Sequence, residues 1–239
     1  MEAPKYKRVL IKVSGEALAG DKKTGLDFEF ITKVANAIKQ CADDGAEIGI
    51  VVGGGNFWRG VKDGGGKVER TRADYMGMLA TTMNALALAD VLTGVGVEAR
   101  VQTAIDMPKI AEPYAREKAV AHLKKGKVVV FACGTGNPFF STDTGAVLKA
   151  AEIGAEVILL AKNIDGVYDA DPMKVKDAKK FDSITYDEVL ARGLGVMDMT
   201  ATALAKDNNI PVIVFAVKEP ENIVKVINGE NIGSYVGVK

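Results

Sequence analysis

The residues best suited to chemistry are glycines, hydroxyls and a few charged side chains that directly follow apolar runs. Four such segments stand out: Lys12-Val-Ser-Gly15, Gly53-Gly-Gly-Asn-Phe-Trp-Arg59, the segment 134–143 and the segment 162–171. Glycine lets a backbone approach a ligand closely, and successive N–H groups then form a nest for an anion. A helix that begins after such a loop adds to the attraction. The pattern therefore predicts phosphate binding, and several loops predict more than one phosphate group.

Neither of the two common nucleotide-binding fingerprints occurs in the chain. For a GxxxxGK[ST] loop, Gly66-Lys67 is followed by Val68, and Val61 stands where the first glycine is required. Gly134-x-Gly136 is followed by Asn-Pro-Phe and so does not complete GxGxxG. This disfavours an NAD-dependent Rossmann enzyme, and phosphate transfer would require another architecture.

Charge and composition exclude several classes of protein. The 239 residues include 31 Lys+Arg and 31 Asp+Glu, so the formal net charge is zero. A general nucleic-acid binder or a polybasic membrane-surface protein would show a basic surplus. No run approaches the ~18 apolar residues of a membrane span. We expect a cytoplasmic protein with neither nucleic acid nor membrane as a partner.

The cysteines and the histidine exclude further chemistry. Two cysteines, Cys41 and Cys133, argue against a disulfide scaffold, and both are expected to be small buried residues. The single histidine, His122, falls in a helical pattern and is interpreted as a surface or half-buried helix residue. Zinc sites of the HExxH type are thereby excluded.

Apolar runs of strand length alternate with longer helical patterns. The predicted strands are 8–13, 47–52, 97–103, 127–132, 156–161, 212–216 and 234–236. The predicted helices are 28–43, 73–92, 114–125, 143–153, 186–192, 200–208 and 221–228. Because the strands are almost continuously apolar, we predict an α/β fold in which a mostly parallel central sheet is covered by helices on both faces. We predict a single domain over residues 1–239, with ligands beyond the carboxyl ends of the strands.

Six segments, in order along nearly the whole chain, resemble the amino acid kinase family. They are Lys12-Val-Ser-Gly-Glu-Ala-Leu18, Gly53-Gly-Gly-Asn-Phe-Trp-Arg-Gly60, Asp74-Tyr-Met-Gly-Met-Leu-Ala-Thr81, Gly134-Thr-Gly-Asn-Pro-Phe-Phe-Ser-Thr-Asp143, Asp165-Gly-Val-Tyr-Asp-Ala-Asp-Pro172 and Val196-Met-Asp-Met199. The GTGNPFF loop is the specific one, since family members that act on carboxylates or carbamate do not carry it. It points to the bacterial branch that phosphorylates UMP.

The resemblance implies a three-layer sandwich fold and a role in pyrimidine nucleotide biosynthesis. The implied reaction transfers the γ-phosphoryl group of ATP to UMP, giving UDP and ADP, with Mg²⁺ accompanying ATP. It also implies a homohexamer, with GTP as an activator and UTP as an inhibitor.

The resemblance further implies roles for individual residues. Lys12 and Asp143 correspond to catalytic residues, and no metal ligand is assigned. The implied ATP contacts are Lys12, Val13, Ser14, Gly15, Gly55, Arg59, Asn163, Tyr168 and Asp171. The implied UMP contacts are Gly54, Asp74, Thr135, Gly136, Asn137, Pro138, Phe139, Phe140, Ser141 and Thr142. One departure from the family pattern is that Lys162 and Asn163 stand where many members carry Thr and then Lys.

The proposed chemistry suits a chain with one histidine. A nucleoside monophosphate is already an anion near neutral pH, because its second pKa is ~6, so no general base is needed.

Alternatives remain to the functional interpretation of these residues. Purely structural roles would make Lys12 a strand-end lysine, Arg59 a surface arginine, and Phe139 or Phe140 a core residue. Rival functions are phosphorylation of carbamate or aspartate, and a non-catalytic oxyanion-binding protein on the same fold.

Overall fold

A nine-stranded, mostly parallel sheet runs through the molecule. The computed structural model describes residues 4–59, 63–64 and 66–238. The strands are β1 (Arg8–Val13), β2 (Glu47–Val52), β3 (Ala99–Thr103), β4 (Glu112–Pro113), β5 (Val128–Ala132), β6 (Val157–Lys162), β7 (Val167–Tyr168), β8 (Lys180–Phe181), β9 (Ser183–Thr185), β10 (Val212–Ala216) and β11 (Ser234–Gly237). In the large sheet they lie in the order β4-β3-β5-β2-β1-β6-β10-β11-β9, and β7 pairs separately with β8. The β10–β11 pair is antiparallel, while β1 pairs in parallel with both β2 and β6.

Helices cover both faces of this sheet. They are α1 (Gly15–Leu18), α2 (Phe28–Asp43), α3 (Arg70–Gly94), α4 (Arg116–Lys124), α5 (Thr142–Ile153), α6 (Tyr186–Arg192), α7 (Met199–Asp207) and α8 (Glu221–Ile227). A short 3-10 turn, Gly20–Lys22, follows α1. The predicted α/β fold with a covered, mostly parallel sheet is confirmed.

Alternate side chains of β1 contribute to the two apolar cores, one on each face of the sheet. Val9 and Ile11 join one apolar core with residues of α2, α3 and α8, whereas Leu10 joins the other core with residues of α4 to α7. Successive side chains of a strand point to opposite faces. Lys12 therefore shares the face of Leu10, which is the face covered by α5.

The observed elements differ from the predicted ones mainly at their ends. Helix α3 is longer than the predicted 73–92, because the Glu69 side chain accepts hydrogen bonds from two backbone N–H groups of its first turn. Helix α4 begins at Arg116 rather than at residue 114, and strand β3 begins at Ala99 rather than at residue 97. Strand β6 continues to Lys162, one residue beyond the prediction. The short strands β4, β7, β8 and β9 were not predicted, because two or three residues carry no periodic signal.

Helix α3 is by length and composition apolar enough to cross a membrane, with a mean hydropathy of 1.3 over 18 residues. The sequence had shown no continuous apolar run of that length. Ala85, Leu88 and Leu92 of this helix are completely buried in the core beneath the sheet. Packing inside the protein therefore accounts for their apolar character.

Candidate active site

The predicted loops meet at one edge of the sheet. Strands β5, β2, β1 and β6 are consecutive neighbours, and all three pairings are parallel. In register, Val13 at the end of β1 lies beside Val52 of β2 and Ala161 of β6. Strands are added on both sides of β1, with β2 on one side and β6 on the other, so β1 lies at a topological switch point. Open α/β sheets bind ligands in the crevice beyond such a point.

An ion pair between Lys12 and Asp143 lies at the centre of this edge. The distance from Lys12 Nζ to Asp143 Oδ1 is 2.7 Å, and Lys12 is 8% exposed. Lys12 comes from the end of β1, and Asp143 comes from the first turn of α5. An ammonium group has three donors, so Nζ can contact this carboxylate and a phosphate oxygen together. The structure thus brings together the two residues predicted to be catalytic.

Lys162 is a third charged group in the same place, and the sequence had assigned it no role. Its Nζ donates a hydrogen bond to the Val196 carbonyl. Burial lowers the pKa of Lys162, the Asp143 carboxylate opposes that shift, and the charge of Lys12 adds to it. Lys162 therefore lies near enough to the Lys12–Asp143 ion pair to be affected by both charges. The only sequence signal was the departure from the family pattern at this position.

The first cavity lies between α3, the loop after β2 and the loop after β5, and its volume is about 310 Å³. It is lined by many of the predicted site residues: Gly54, Gly55, Arg59, Asp74, Thr135, Asn137, Phe140, Ser141 and Thr142. The adjoining positions complete the loop: Gly136 has φ +77°, Pro138 is half-buried, and Phe139 faces a neighbouring cavity with Arg70. Gly60, the last residue of the glycine motif, lies outside the described residues.

Gly54 explains how α3 can approach the loop after β2. A Cβ atom at this position would lie 2.8 Å from the Gly77 carbonyl oxygen and 3.0 Å from Ala80 Cβ. Real Cβ atoms do not come this close to backbone atoms, so a larger residue would push the helix away. The glycine is needed for close packing, and that packing forms one wall of the first cavity.

Asp74 ties helix α3 to the loop after β5. Its Oδ2 accepts hydrogen bonds of 2.8 Å from Arg70 Nε and from the Phe139 backbone N–H. The φ angle of Phe139 is +72°, which is unusual for a residue with a side chain. Phe139 and Phe140 are 68% and 52% exposed. The alternative in which one of these rings packs in the core is therefore wrong.

The same loop is fixed at its other end by Ser141 and Asp198. Ser141 Oγ accepts from the backbone N–H groups of Asp143 (3.0 Å) and Thr144 (3.1 Å), and so caps α5. The Ser141 hydroxyl in turn donates to Asp198, which also accepts from Thr144 Oγ1 at 3.2 Å. Asp198 belongs to the Val196–Met199 motif, to which the sequence had assigned no role. Its carboxylate holds the start of α5, and with it Asp143, against α7.

The glycine loop after β1 and Arg59 form the opposite rim of the site. Val13 is the buried last residue of β1, Ser14 Oγ accepts from Ala17 N at 3.2 Å, and Gly15 begins α1. Arg59 pairs with Glu16 of α1 and donates to the Gly55 carbonyl at 3.3 Å. These contacts hold Arg59 beside the first cavity, where its side chain is 43% exposed.

A second cavity of about 440 Å³ lies beyond β6 and contains Lys162, Tyr168 and Asp171. The Tyr168 hydroxyl donates to Asp165 Oδ1 at 2.7 Å, and this hydrogen bond raises the pKa of Tyr168. Asn163 lies elsewhere, in a third cavity that also includes Glu16 and Asp21. Lys162 therefore shares a cavity with Tyr168 and Asp171, whereas Asn163 lies on the side of Glu16, which follows Gly15 and pairs with Arg59.

The remaining predictions concern cysteine, histidine and metal. Both cysteines are buried, as predicted, and burial raises the pKa of Cys41 to about 12. His122 is a half-buried residue of α4 whose Nε2 lies 3.0 Å from Glu112 Oε2. Within the described ranges, no three His, Cys, Asp or Glu residues are grouped so as to hold a metal ion by themselves.

Comparison with known proteins assigns the chain to a family. Residues 7–216 match the amino acid kinase family. The chain belongs to this family. Among solved structures, this amino acid kinase is similar to the UMP kinase of Bacillus anthracis, with 40% identity, a TM-score of 0.93, and 97% of this chain and 96% of that chain covered. It is also similar to the UMP kinase of Ureaplasma parvum (36% identity, TM-score 0.91, coverage 99% and 100%) and to the uridylate kinase of Archaeoglobus fulgidus (29%, 0.76, 96% and 99%).

Proposed function

We propose that this chain is a UMP kinase, which transfers the γ-phosphoryl group of ATP to UMP and releases UDP and ADP. The observation that carries the proposal is the Lys12–Asp143 ion pair, at the sheet edge from which both the first and the second cavity open. The similarity to UMP kinases extends over nearly the full length of this chain. Such a reaction fits a step of pyrimidine nucleotide biosynthesis.

We assign UMP to the first cavity. Asp74 stands at its wall with a carboxylate that can accept hydrogen bonds from ribose hydroxyls, and Gly54 offers backbone to the phosphate. The loop 135–142 supplies hydroxyl, amide and aromatic groups for a planar base. Stacking on an exposed ring such as Phe140 is a contact that any flat base can use.

We assign ATP to the second cavity and to the glycine loops that follow β1 and β2. Tyr168 and Asp171 lie in the second cavity, where an aromatic ring and a carboxylate suit an adenosine. The segment Lys12–Gly15, together with Gly55 and Arg59, would face the phosphates. The role of Asn163 in ATP binding stays a prediction, and Lys162 is the stronger candidate by position.

The chain's own groups can perform the transfer without a general base. The acceptor phosphate is already ionised near neutral pH, so the difficulty is to bring two anions together. Lys12 and Lys162 neutralise charge on the transferring group, and Asp143 orients Lys12. Such preorganised charges act strongly because they need not rearrange during the reaction. Mg²⁺ accompanying ATP would supply further positive charge against the phosphates, and Asp143 is the carboxylate that would hold it.

We further propose that residues 1–239 form a single domain that assembles as a homohexamer in the cytoplasm, with GTP as an activator and UTP as an inhibitor. Support for assembly comes from a row of exposed apolar side chains along α3. Its members are Tyr75, Met76, Leu79, Met83 and Leu86. A second copy covering this row would remove it from water.

One assay tests the proposed function. ADP release is measured with ATP, Mg²⁺ and, in turn, UMP, CMP, AMP, GMP, aspartate and carbamate. We expect UMP to be the preferred acceptor. Preference for aspartate or carbamate would assign another activity of this family, and no ADP release with any acceptor would favour a non-catalytic binding protein.

A further inference from the structure

Two buried asparagines lie beneath the glycine loops, outside the cavities described above. Asn56 follows the glycines after β2 and is 2% exposed, and Asn84 lies in the middle of α3 and is completely buried. Asn84 Nδ2 donates to Asn56 Oδ1 at 2.7 Å, and Asn56 Nδ2 donates to Asn84 Oδ1 at 3.0 Å. The two side-chain amides therefore pair reciprocally, in the manner of two peptide groups.

The remaining amide hydrogens of the pair are directed at two loops. Asn84 Nδ2 also donates to the Gly53 carbonyl at 2.6 Å, and Asn56 Nδ2 donates to the Gly25 carbonyl at 2.7 Å. In addition, the Gly25 N–H donates to the Asn56 carbonyl at 3.2 Å. All four amide hydrogens of the pair are thus used in one small network.

This network also determines how closely the loop after β1 approaches the loop after β2. A Cβ atom at Gly15 would lie 2.5 Å from Asn56 Oδ1 and 2.8 Å from the Gly55 nitrogen. Gly15 therefore rests directly on the Asn56 side chain, at the point where α1 begins. The separation of the two phosphate-facing loops depends on the asparagine pair beneath them.

The choice of residue at position 84 is not explained by helix stability or by burial. Asparagine is a poor helix former, and a buried amide is costly unless every polar atom is bonded. Apolar neighbours of Asn84 on α3, such as Ala85 and Leu88, are buried in the ordinary way. A buried polar network that is fully satisfied makes one arrangement strongly preferred.

We propose that Asn84 and Asn56 are positioning residues for phosphoryl transfer. Their amide pair holds the loops after β1 and β2 at the spacing that brings the donor and acceptor phosphates into line. Neither side chain touches a substrate. The inference rests on the proposed function, because it assigns the two loops to the two phosphates.

The test is a double-mutant cycle of Asn84→Ala, Asn56→Ala and the double variant, assayed for UMP-dependent ADP release. We expect kcat to fall on the order of 10- to 100-fold in each single variant, since small misplacements of reacting groups have effects of this size. The KM values for UMP and ATP should change by less than about threefold, because the substrate contacts themselves remain. The double variant should be about as slow as the slower single variant, because the two amides act as a unit.

Two further variants separate positioning from general stability. Tyr186→Phe removes a buried hydrogen bond, 2.5 Å from the hydroxyl to the Ile210 carbonyl, in a part of the core away from the loops. It should lower the unfolding midpoint without changing kcat. Asn84→Ser keeps one donor and should recover part of the kcat lost in Asn84→Ala. If Asn84→Ala does not fold, the cycle is run with serine at position 84.

The outcomes separate a failure of the positioning role from a failure of the proposed function. Unchanged kcat in the folded single variants, or losses that add in the double variant, would overturn the positioning role. An equal loss of kcat in Tyr186→Phe would do the same. If the wild-type protein releases no ADP with UMP, the proposed function is rejected, and this inference is rejected with it.

Discussion

Replacing Lys12 by methionine tests the central electrostatic argument. The Lys12 ammonium lies 2.7 Å from Asp143, between the loops assigned to the two phosphates. Preorganised groups that stabilise charge in a transition state are typically worth 10²- to 10³-fold in kcat. We expect Lys12→Met to lower kcat by at least ~10²-fold, or about 2.7 kcal/mol at 1.36 kcal/mol for each tenfold change.

The variant should still fold. Methionine retains an unbranched apolar stem, so the packing of the lysine methylenes is largely preserved. Removing one partner of a fully buried ion pair costs about 3–5 kcal/mol. Here the Asp143 side chain is partly exposed and Lys162 remains near it, so we expect a cost of about 1–3 kcal/mol. That is below the usual 5–15 kcal/mol of total stability.

Lys149→Met is the matched control. Lys149 is 4% exposed, and its Nζ lies 2.8 Å from Glu152 Oε2 and 3.4 Å from the centre of the Tyr114 ring. It is therefore also a buried lysine paired with a carboxylate, but it lies in the middle of α5 and lines neither cavity. Burial lowers the pKa of Lys149, and the Glu152 carboxylate opposes that shift. We expect its kcat to stay within about twofold of the wild-type value.

The assay compares ADP release by the three proteins at saturating ATP, Mg²⁺ and UMP, with thermal unfolding measured on the same preparations. A folded Lys12→Met protein with kcat within about threefold of wild type would refute the role of Lys12. An equal loss of kcat in Lys149→Met would show that the effect of Lys12→Met comes from removing a buried lysine and not from a role in phosphoryl transfer.

Three further predictions follow from particular contacts. Asp74→Asn should raise the KM for UMP about tenfold and leave that for ATP unchanged in steady-state kinetics, because one ribose acceptor is lost. Gly54→Ala should destabilise the protein by about 1–3 kcal/mol in urea unfolding, because the new Cβ would meet the Gly77 carbonyl oxygen at 2.8 Å. Burial raises the pKa of Glu112, but hydrogen bonds from His122 and Gln102 outweigh it and lower the pKa. The stabilisation from Glu112 is therefore present above the unfolded pKa of ~4.3 and is lost as pH falls through the folded pKa. Urea unfolding at decreasing pH measures this loss. The free energy of unfolding of Glu112→Gln should fall less on acidification than that of the wild type.

Each of these has a clear contrary result. A larger rise in the KM for ATP than for UMP would place Asp74 on the wrong substrate. A Gly54→Ala protein as stable as wild type would show that α3 can shift without cost. Equal acid sensitivity of Glu112→Gln and wild type would mean that the Glu112 contacts are not formed in solution.

Much of the fold could be predicted because its signals are local. The continuous apolar runs at 8–13, 47–52 and 156–161 indicated strands covered on both faces, and those strands form the centre of the sheet. The short strands β4 and β9 could not be predicted, since two or three residues have no measurable period. Their pairing partners, β3 and β11, supply the hydrogen bonds that make them strands.

Part of the candidate site could be predicted for the same reason. Glycines and charges directly after apolar runs identified the loops, and parallel pairing required that those loops share one edge. The motifs also singled out Lys12 and Asp143, though not the 2.7 Å contact between them. Lys162 was given no role because it departs from the family pattern, and only the strand register shows that its side chain shares the face of Lys12.

The sequence by itself therefore determined the class of fold, the edge of the sheet that binds ligand, and the residue types available there. Only the tertiary structure decided which of those residues meet. The asparagine pair illustrates the reason: Asn84 looks like an unfavourable residue in a helix until packing brings it 2.7 Å from Asn56. Periodicity reports which face of an element is buried, whereas contacts between distant segments depend on strand register and on the close approach of helices that glycine permits.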